Sequence, residues 1–359
     1  MPVWARAADG HDFIPRFRRR EVRWCVAAGP RFSSASTGCA VLLLIPCGRL
    51  GHMMTEHPAS DKPPRRAGPG NPGDAWVTAP DGQRYWGRFG AAGLLAVDPG
   101  RGILLQHRAS WSHHGDTWAL PGGARHEGES ALAAALRESA EEAGVPAAAI
   151  RPRLMSVLDL GVWSYATVIG DVVEPFEPVI SDPESLALAW VPLEEVESLP
   201  LHPAFQSSWP ELRPLLQVRP AVVVDAANVV GSVPDGWWKD RAGAAARLIT
   251  AVSALAARGI PSAFLELPGD TAFPEYTVVL EGRARDVPAP EQPGVQLPPV
   301  KVLRAAGSGD DAIVTLTEQL ASAGLTVTVA TSDRELTDRS RRIGASVVGA
   351  GRLRELLGY

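Results

Sequence analysis

Apolar residues follow two spacings along this chain. From about Trp76 the pattern is that of a packed domain. Residues 88–97 and 102–107 are apolar runs of strand length on either side of Asp98-Pro99-Gly100, and they predict two strands joined by a turn. Residues 130–143 carry helical spacing, closed by Gly144 with Pro146 beyond. Strand-like runs follow over 153–170 and 187–191, and a helical stretch is expected from Leu193. Near Arg219 and Pro220 the character changes. Residues 221–224 form a continuous apolar run of the buried-strand kind, and 241–258 an Ala-rich helix. Strands are expected at 277–280, 300–303 and 325–330, with helices at 311–323 and 333–343. Strand alternating with helix argues for a parallel sheet with helices on its faces. The Pro-rich stretch 286–299 is a loop, and there is no internal repeat.

The chain has 359 residues, enough for two ordinary domains and a tail. Hydrophobic residues at 45% and charged residues at 21% are ordinary for a globular protein. A net charge of −5 argues against a globally basic nucleic-acid binder, though not against a local basic groove. Cys25, Cys39 and Cys47 are the only cysteines. Beyond them no disulfide or Cys-based zinc site is available, which fits a reducing cytoplasm. A metal held by carboxylates and water is then expected to be Mg²⁺ or Mn²⁺.

No apolar run reaches the roughly 20 residues needed to span a bilayer. The run 39–46, behind Arg18, Arg19 and Arg20, has the outline of a short signal-peptide core. Pro46 and Arg49 close it early, so export is not expected. Met53 and Met54 are alternative starts, and residues 1–52 read as the product of a start codon placed too far upstream. Residues 55–74 are rich in Pro, Gly, Asp and Arg, as in a flexible linker. Little structure is expected over 1–75.

The densest chemistry lies in Gly123-Ala-Arg-His-Glu-Gly-Glu129, followed after seven residues by Arg137-Glu-Ser-Ala-Glu-Glu-Ala-Gly-Val145. On a helix, Glu138, Glu141 and Glu142 share one face. Their mutual repulsion has only Arg137 nearby to relieve it, and a divalent cation with oxygen ligands resolves it. Such a metal bridges phosphate oxygens and activates water. Taken alone, the cluster reads more readily as a solvated acidic face. The full spacing resembles the Nudix box, GX5EX7REUXEEXGU with U aliphatic, through Gly123, Glu129, Arg137, Glu138, Glu141, Glu142, Gly144 and Val145. Ser139 is the one departure. The lead-in Trp118-Ala-Leu-Pro-Gly-Gly123 is similar to that family as well.

The resemblance covers roughly residues 84–217. It implies an α/β/α sandwich with a mixed sheet, and water attack on a phosphorus of a nucleoside diphosphate linked to another group. It makes Glu138, Glu141 and Glu142 the metal-binding candidates, has Arg137 orient a glutamate, and has Glu129 either pair back toward the helix or lie outside the ligands themselves. The general base stays open between Glu142 and Glu184. Arg108, Trp111, His113 and His114 are candidates for phosphate or base but read more readily as ordinary loop residues, and Trp163 and Tyr165 suit base stacking or core.

A second carboxylate set follows. Asp225 ends an apolar strand three residues before Asn228, Asp240 opens a helix, Asp310 and Asp311 start another, and Asp333 follows a strand. In a parallel sheet such strand ends form one ligand-binding edge. Asp240, Asp310, Asp311 and Asp333 also suit plain helix caps. Asp225-x-x-Asn228, Gly309-Asp-Asp311 and Thr331-Ser-Asp333, with Val279-Leu-Glu-Gly282 between them, resemble the NYN branch of the PIN-like nucleases over about 219–359. That resemblance implies a Rossmann-like parallel-sheet domain and a Mg²⁺ or Mn²⁺ site of Asp225, Asp310 or Asp311, and Asp333. Asn228 would support water or phosphate, with Asp240 nearby, for metal-assisted cleavage of RNA. Lys239, Arg241, Arg283, Arg285, Lys301, Arg304, Arg334 and Arg339 are available to an RNA groove, and Trp237 and Trp238 equally to bases, core or a domain interface.

The expected organisation is therefore an extension over 1–75, a Nudix pyrophosphohydrolase over 76–217 and a PIN-like ribonuclease over 219–359. Its expected partners are a nucleotide-type substrate and RNA, with no membrane. Two rivals stand beside this: a house-cleaning enzyme for free nucleotides with an inert second domain, and a nucleotide sensor that regulates that domain.

Overall fold

The computed structural model describes the backbone of residues 55–56 and, in full, residues 72–234, 236–287 and 300–358. The expectations for 1–52 with the three cysteines, for most of the 55–74 linker and for most of the 286–299 loop lie outside the described residues. Among the described residues no helix is long and apolar enough to cross a membrane.

The first half is built on a mixed sheet. Its strands are β1 (Thr55–Glu56), β4 (Ala91–Asp98), β5 (Gly102–Arg108), β6 (Trp118–Ala119), β7 (Gly122–Ala124), β8 (Ile150–Asp159), β9 (Ser164–Val172) and β10 (Ser185–Val191). A separate hairpin of β2 (Trp76–Thr78) and β3 (Arg84–Trp86) precedes β4. The main order is β1-β10-β5-β4-β9-β8, with β6 on β5 and β7 on β4. The β4–β9 pair is parallel, and its neighbours in this run are antiparallel. The expected strand at 88–97 starts only at Ala91, because Gly87 and Gly90 both take positive φ, at 101° and 86°, and turn the chain first.

Alternation along the strands loads both faces of this sheet. Leu94, Ala96 and Leu104 pack with Ala134 and Ala135 of α1 (Ala131–Ala143). Leu95, Ile103 and Leu105 pack on the other face with Phe205 and Trp209 of α2 (Pro203–Leu215). The helix expected from Leu193 is only a short 3₁₀ turn at Val196–Ser198. Pro200 interrupts it, and the α-helix restarts with Pro203 in its first turn, where a missing N–H costs nothing.

The second half is a parallel sheet of β11 (Pro220–Asp225), β14 (Glu275–Leu280), β15 (Lys301–Arg304), β16 (Thr326–Ala330) and β17 (Ser346–Val348), in the order β15-β14-β11-β16-β17. The chain runs outward from β11 to β15, then crosses back to β16, so the switch point lies beside β11. Its helices are α3 (Ala226–Gly231), α4 (Arg241–Arg258), α5 (Gly309–Ser322), α6 (Arg334–Arg342) and α7 (Ala350–Leu357). Val222 and Val224 face α4 and α7, while Ala221 and Val223 face α5 and α6.

A two-strand ribbon of β12 (Ile260–Pro261) and β13 (Thr271–Ala272) leaves this half and pairs with β8, extending the first sheet to β8-β13-β12. Asp171, 5% exposed, lies where the halves meet. It pairs with Arg151 at 3.1 Å, Arg153 at 3.2 Å and Arg219 at 3.3 Å.

Candidate active site

The acidic helix α1 is capped at both ends by its own sequence. The Ser130 side chain accepts the N–H of Ala133 at 3.1 Å, and Gly144 closes the helix in the left-handed region at φ 62°. This fixes the helix phase, and with it the direction of the glutamates. Arg137 is the organiser. Its Nε and Nη2 donate to the two Glu129 oxygens at 2.9 Å each, and its Nη1 donates to Glu138 at 2.7 Å and Glu141 at 3.3 Å. The remaining Nη2 bond goes to the Ala124 carbonyl at 3.0 Å. One guanidinium thus ties the helix to the loop and spaces three carboxylates. The Arg137 hydrogen bonds pull Glu129 down to about 2.

Glu142 differs from the others. It is 8% exposed, and the Gly122 N–H donates to its Oε2 at 2.8 Å. Burial pushes its pKa up to about 8, and the neighbouring Glu138 and Glu184 charges add to the rise. Glu138 is raised too, chiefly by burial. The Gly123 backbone approaches Glu138 so closely that an added Cβ would lie 2.7 Å from its carboxyl group. Any side chain there would push the Glu138 carboxyl group away from Arg137. Ser139 is fully buried and its hydroxyl donates to the Leu136 carbonyl at 3.1 Å. The departure from an aliphatic residue is therefore absorbed by the helix's own backbone.

Beside this cluster lies a cavity of about 760 Å³, lined by the Gly122-Gly123 loop, Glu184 and a wall of aromatic rings. Trp163 and Tyr165 both line it, as do Arg108, Trp111, His113 and His114. Tyr85 stacks on Trp163 with ring centres 4.9 Å apart, and Trp163 Nε1 donates to the Trp86 carbonyl at 3.0 Å. Trp76 meets Trp86 edge-on at 5.3 Å, under the Arg84 guanidinium. The β2–β3 hairpin that brings Trp76, Tyr85 and Trp86 here was not expected. Its signal was Asp81-Gly82, a turn pair between Trp-Val-Thr and Arg-Tyr-Trp. His202, which caps α2, also lines the cavity and was not expected. Burial lowers it to about 4, with help from the Arg108, His114 and His113 charges.

The second acidic set collects at the C-terminal edge of the parallel sheet. Asp225 is buried, accepting the Asn228 N–H at 3.0 Å and the Thr331 hydroxyl at 2.8 Å. The Asn228 side-chain oxygen accepts the Ser332 N–H at 2.9 Å, tying the first strand end to the fourth. Burial raises Asp225, and the Asp310 and Glu281 charges raise it further. Asp310 is raised by its own burial and by Asp333 and Glu281. Asp225, Glu281, Asp310 and Asp333 therefore share one electrostatic neighbourhood. Glu281 also accepts the Gly309 N–H at 3.0 Å. Asp333 caps α6 through Leu336 at 2.8 Å. Asp311 turns outward and pairs with Arg339 at 2.6 Å, and Asp240 caps α4 through Gly243 at 2.8 Å.

The residues present at the first centre fit a divalent cation. They are hard oxygen donors, two of them raised by burial and mutual repulsion that a cation relieves.

Residues 87–212 match the family model described as the NUDIX domain. A Mycobacterium tuberculosis protein named "Putative 8-oxo-dGTP diphosphatase 3" is 47% identical over 151 residues, covering 39% of this chain and 69% of that protein. A Bifidobacterium longum "Nucleoside triphosphate pyrophosphatase/Nudix hydrolase fusion protein" is 41% identical over 150 residues, covering 39% of this chain and 30% of the other. The solved Nudix hydrolase RenU of M. smegmatis is 48% identical, covers 40% of this chain and 95% of that one, and superposes with a TM-score of 0.37. Nudix hydrolases generally use divalent ions such as Mg²⁺ or Mn²⁺. By sequence match and by the residues of its box, the chain belongs to the Nudix family of hydrolases, which act on phosphoanhydride bonds.

Proposed function

We propose that residues 76–217 are a metal-dependent pyrophosphohydrolase for nucleotides, and that 219–359 are a PIN-like, NYN-type domain that cleaves RNA. The observation that carries the first part is the Arg137-ordered cluster, with buried Glu142 beside an aromatic-walled cavity. Glu138, Glu141 and Glu142 would hold the metal, which supplies Lewis-acid activation of phosphate and water. Arg137 favours the ionised form of Glu138 against burial and aims it. Glu142, once deprotonated, or Glu184 across the cavity would take the proton of the attacking water. Gly122 N–H fixes one Glu142 oxygen, which leaves the other for this work. The rings of Trp76, Tyr85 and Trp163 suit a purine base, which favours purine nucleotides. The name of the mycobacterial relative points to 8-oxo-dGTP among them.

The second part rests on the convergence of Asp225, Glu281, Asp310 and Asp333 at a topological switch point. Asp225, Asp310 and Asp333 would hold Mg²⁺ or Mn²⁺, with Asn228 bracing the site and Asp311 at its rim.

The test of substrate class is hydrolysis by the full chain with Mg²⁺ or Mn²⁺ across 8-oxo-dGTP, dGTP, ADP-ribose and Ap4A. A purine triphosphate turned over at least about tenfold more efficiently than ADP-ribose supports the reading. Tight binding with no turnover of any member would instead support the sensor reading.

A further inference from the structure

One corner of the cavity holds nitrogen donors in place of carboxylates. Arg108 ends β5, His113 and His114 lie in the loop that follows, and His202 precedes α2. The three histidines are the one set of three potential metal-ligating side chains, among the described residues, whose donor atoms all lie within 4.8 Å of one another. Ring centres are 4.1 Å apart for His113 and His114, 4.9 Å for His114 and His202, and 6.4 Å for His113 and His202. Three neighbouring imidazoles suit either a metal ion or an oxyanion, and the hydrogen bonds decide between them.

The Ala204 N–H donates to His202 Nδ1 at 3.2 Å. That nitrogen therefore carries no proton, and the neutral ring's proton is on Nε2. A protonated Nε2 is a hydrogen-bond donor and has no lone pair for a metal. The trio also lies under a positive charge. Arg108 acts electrostatically on both His113 and His202, and on Glu142 as well. The Arg108 Nε is buried without a hydrogen-bond partner among the described residues, in a side chain that lines the cavity. A cation there would meet Arg108, whereas a phosphoryl group would satisfy it. The N-terminal end of α2, thirteen residues long, adds its dipole in the same sense.

We propose that Arg108, His202 and the His113–His114 pair form an oxyanion site for the substrate phosphoryl group that does not lie at the Glu142 cluster. This rests on the Nudix reading and deepens it. Such a site selects nucleotides with a free terminal phosphate over those whose diphosphate ends in a neutral sugar.

The probe is inorganic pyrophosphate, titrated calorimetrically into the full chain without divalent metal. The variants are Arg108→Gln and His202→Asn. Asparagine is a strong helix cap, so the second variant keeps α2 while it loses the Nε2–H. Both are expected to weaken pyrophosphate binding about tenfold or more. In steady state they should raise KM for a nucleoside triphosphate about tenfold with kcat changed less than about threefold, and leave KM for ADP-ribose unchanged. Unaltered pyrophosphate affinity in both variants would overturn the proposal. So would a visible Co²⁺ spectrum of an imidazole-bound ion that disappears in His114→Asn, since it would assign the trio to a metal. Because pyrophosphate binding needs no turnover, it is read even if no nucleotide is hydrolysed.

Discussion

On α1, three carboxylates come from five consecutive residues of one helix, and a single guanidinium spaces two of them against Glu129. At the parallel-sheet edge, four carboxylates come from four separate segments, and the nearest arginine bond goes to Asp311 at the rim. The first centre is ordered by charge and the second by neutral groups, namely the Thr331 hydroxyl, the Gly309 N–H and the Asn228–Ser332 bond. Charge ordering holds Glu129, Glu138 and Glu141 in place before any metal arrives, while burial raises Glu142 to about 8. At the second centre burial raises Asp225 and Asp310 first, and their acidic neighbours add to the rise.

This contrast is broken most strongly by exchanging the arginines. Arg137→Lys removes the bidentate bond to Glu129 and one of the two remaining carboxylate contacts, and is expected to cut nucleotide hydrolysis about 10- to 100-fold. Arg339→Lys, at the rim of the other centre, should leave RNA cleavage within about twofold. Comparable losses in both variants would erase the distinction between the two modes of ordering.

A smaller effect concerns the protonation of Glu142. Its pKa rises from 4.5 in the unfolded chain to about 8 in the fold because it is buried. The folded state therefore holds this proton more tightly. The resulting stability is fully present below about pH 4.5 and is lost as pH rises to about 8. In metal-free protein, Glu142→Gln should gain Tm relative to the parent as pH climbs through this window. Thermal melts with chelator at several pH values would show it, and a pH-independent difference would remove burial as the cause.

The smallest effect is expected from Ser139→Ala, whose hydroxyl bonds only its own helix. Stability should change by no more than about 0.5 kcal/mol, checked by urea denaturation.

What the sequence made legible follows from the same contrast. The α1 cluster needed only helix spacing, so Arg137, Glu138, Glu141 and Glu142 were readable with their neighbours. Helix α4 was bounded at Arg241 and Arg258 by the same local signals. The sheet-edge acids needed topology. Asp225 and Asp333 were readable at strand ends, but Asp310 and Asp311 are adjacent in sequence and only the fold separates an inward from an outward carboxylate. Glu281 was readable only as a strand end, and its hydrogen bond to Gly309 links segments 28 residues apart. His202 and the β12–β13 ribbon were not legible at all, because their partners lie far along the chain and no local pattern marks them.

The central claim is that the chain carries two acidic centres that act independently. The direct measurement is a crossed assay of the full chain with Mg²⁺ or Mn²⁺, following nucleotide hydrolysis and RNA cleavage in Glu142→Gln and Asp225→Asn. The account predicts that Glu142→Gln lowers nucleotide hydrolysis by about 10² or more with RNA cleavage intact, and that Asp225→Asn does the reverse. Nucleotide hydrolysis that survives Glu142→Gln, or two activities that fall together in either variant, would contradict it.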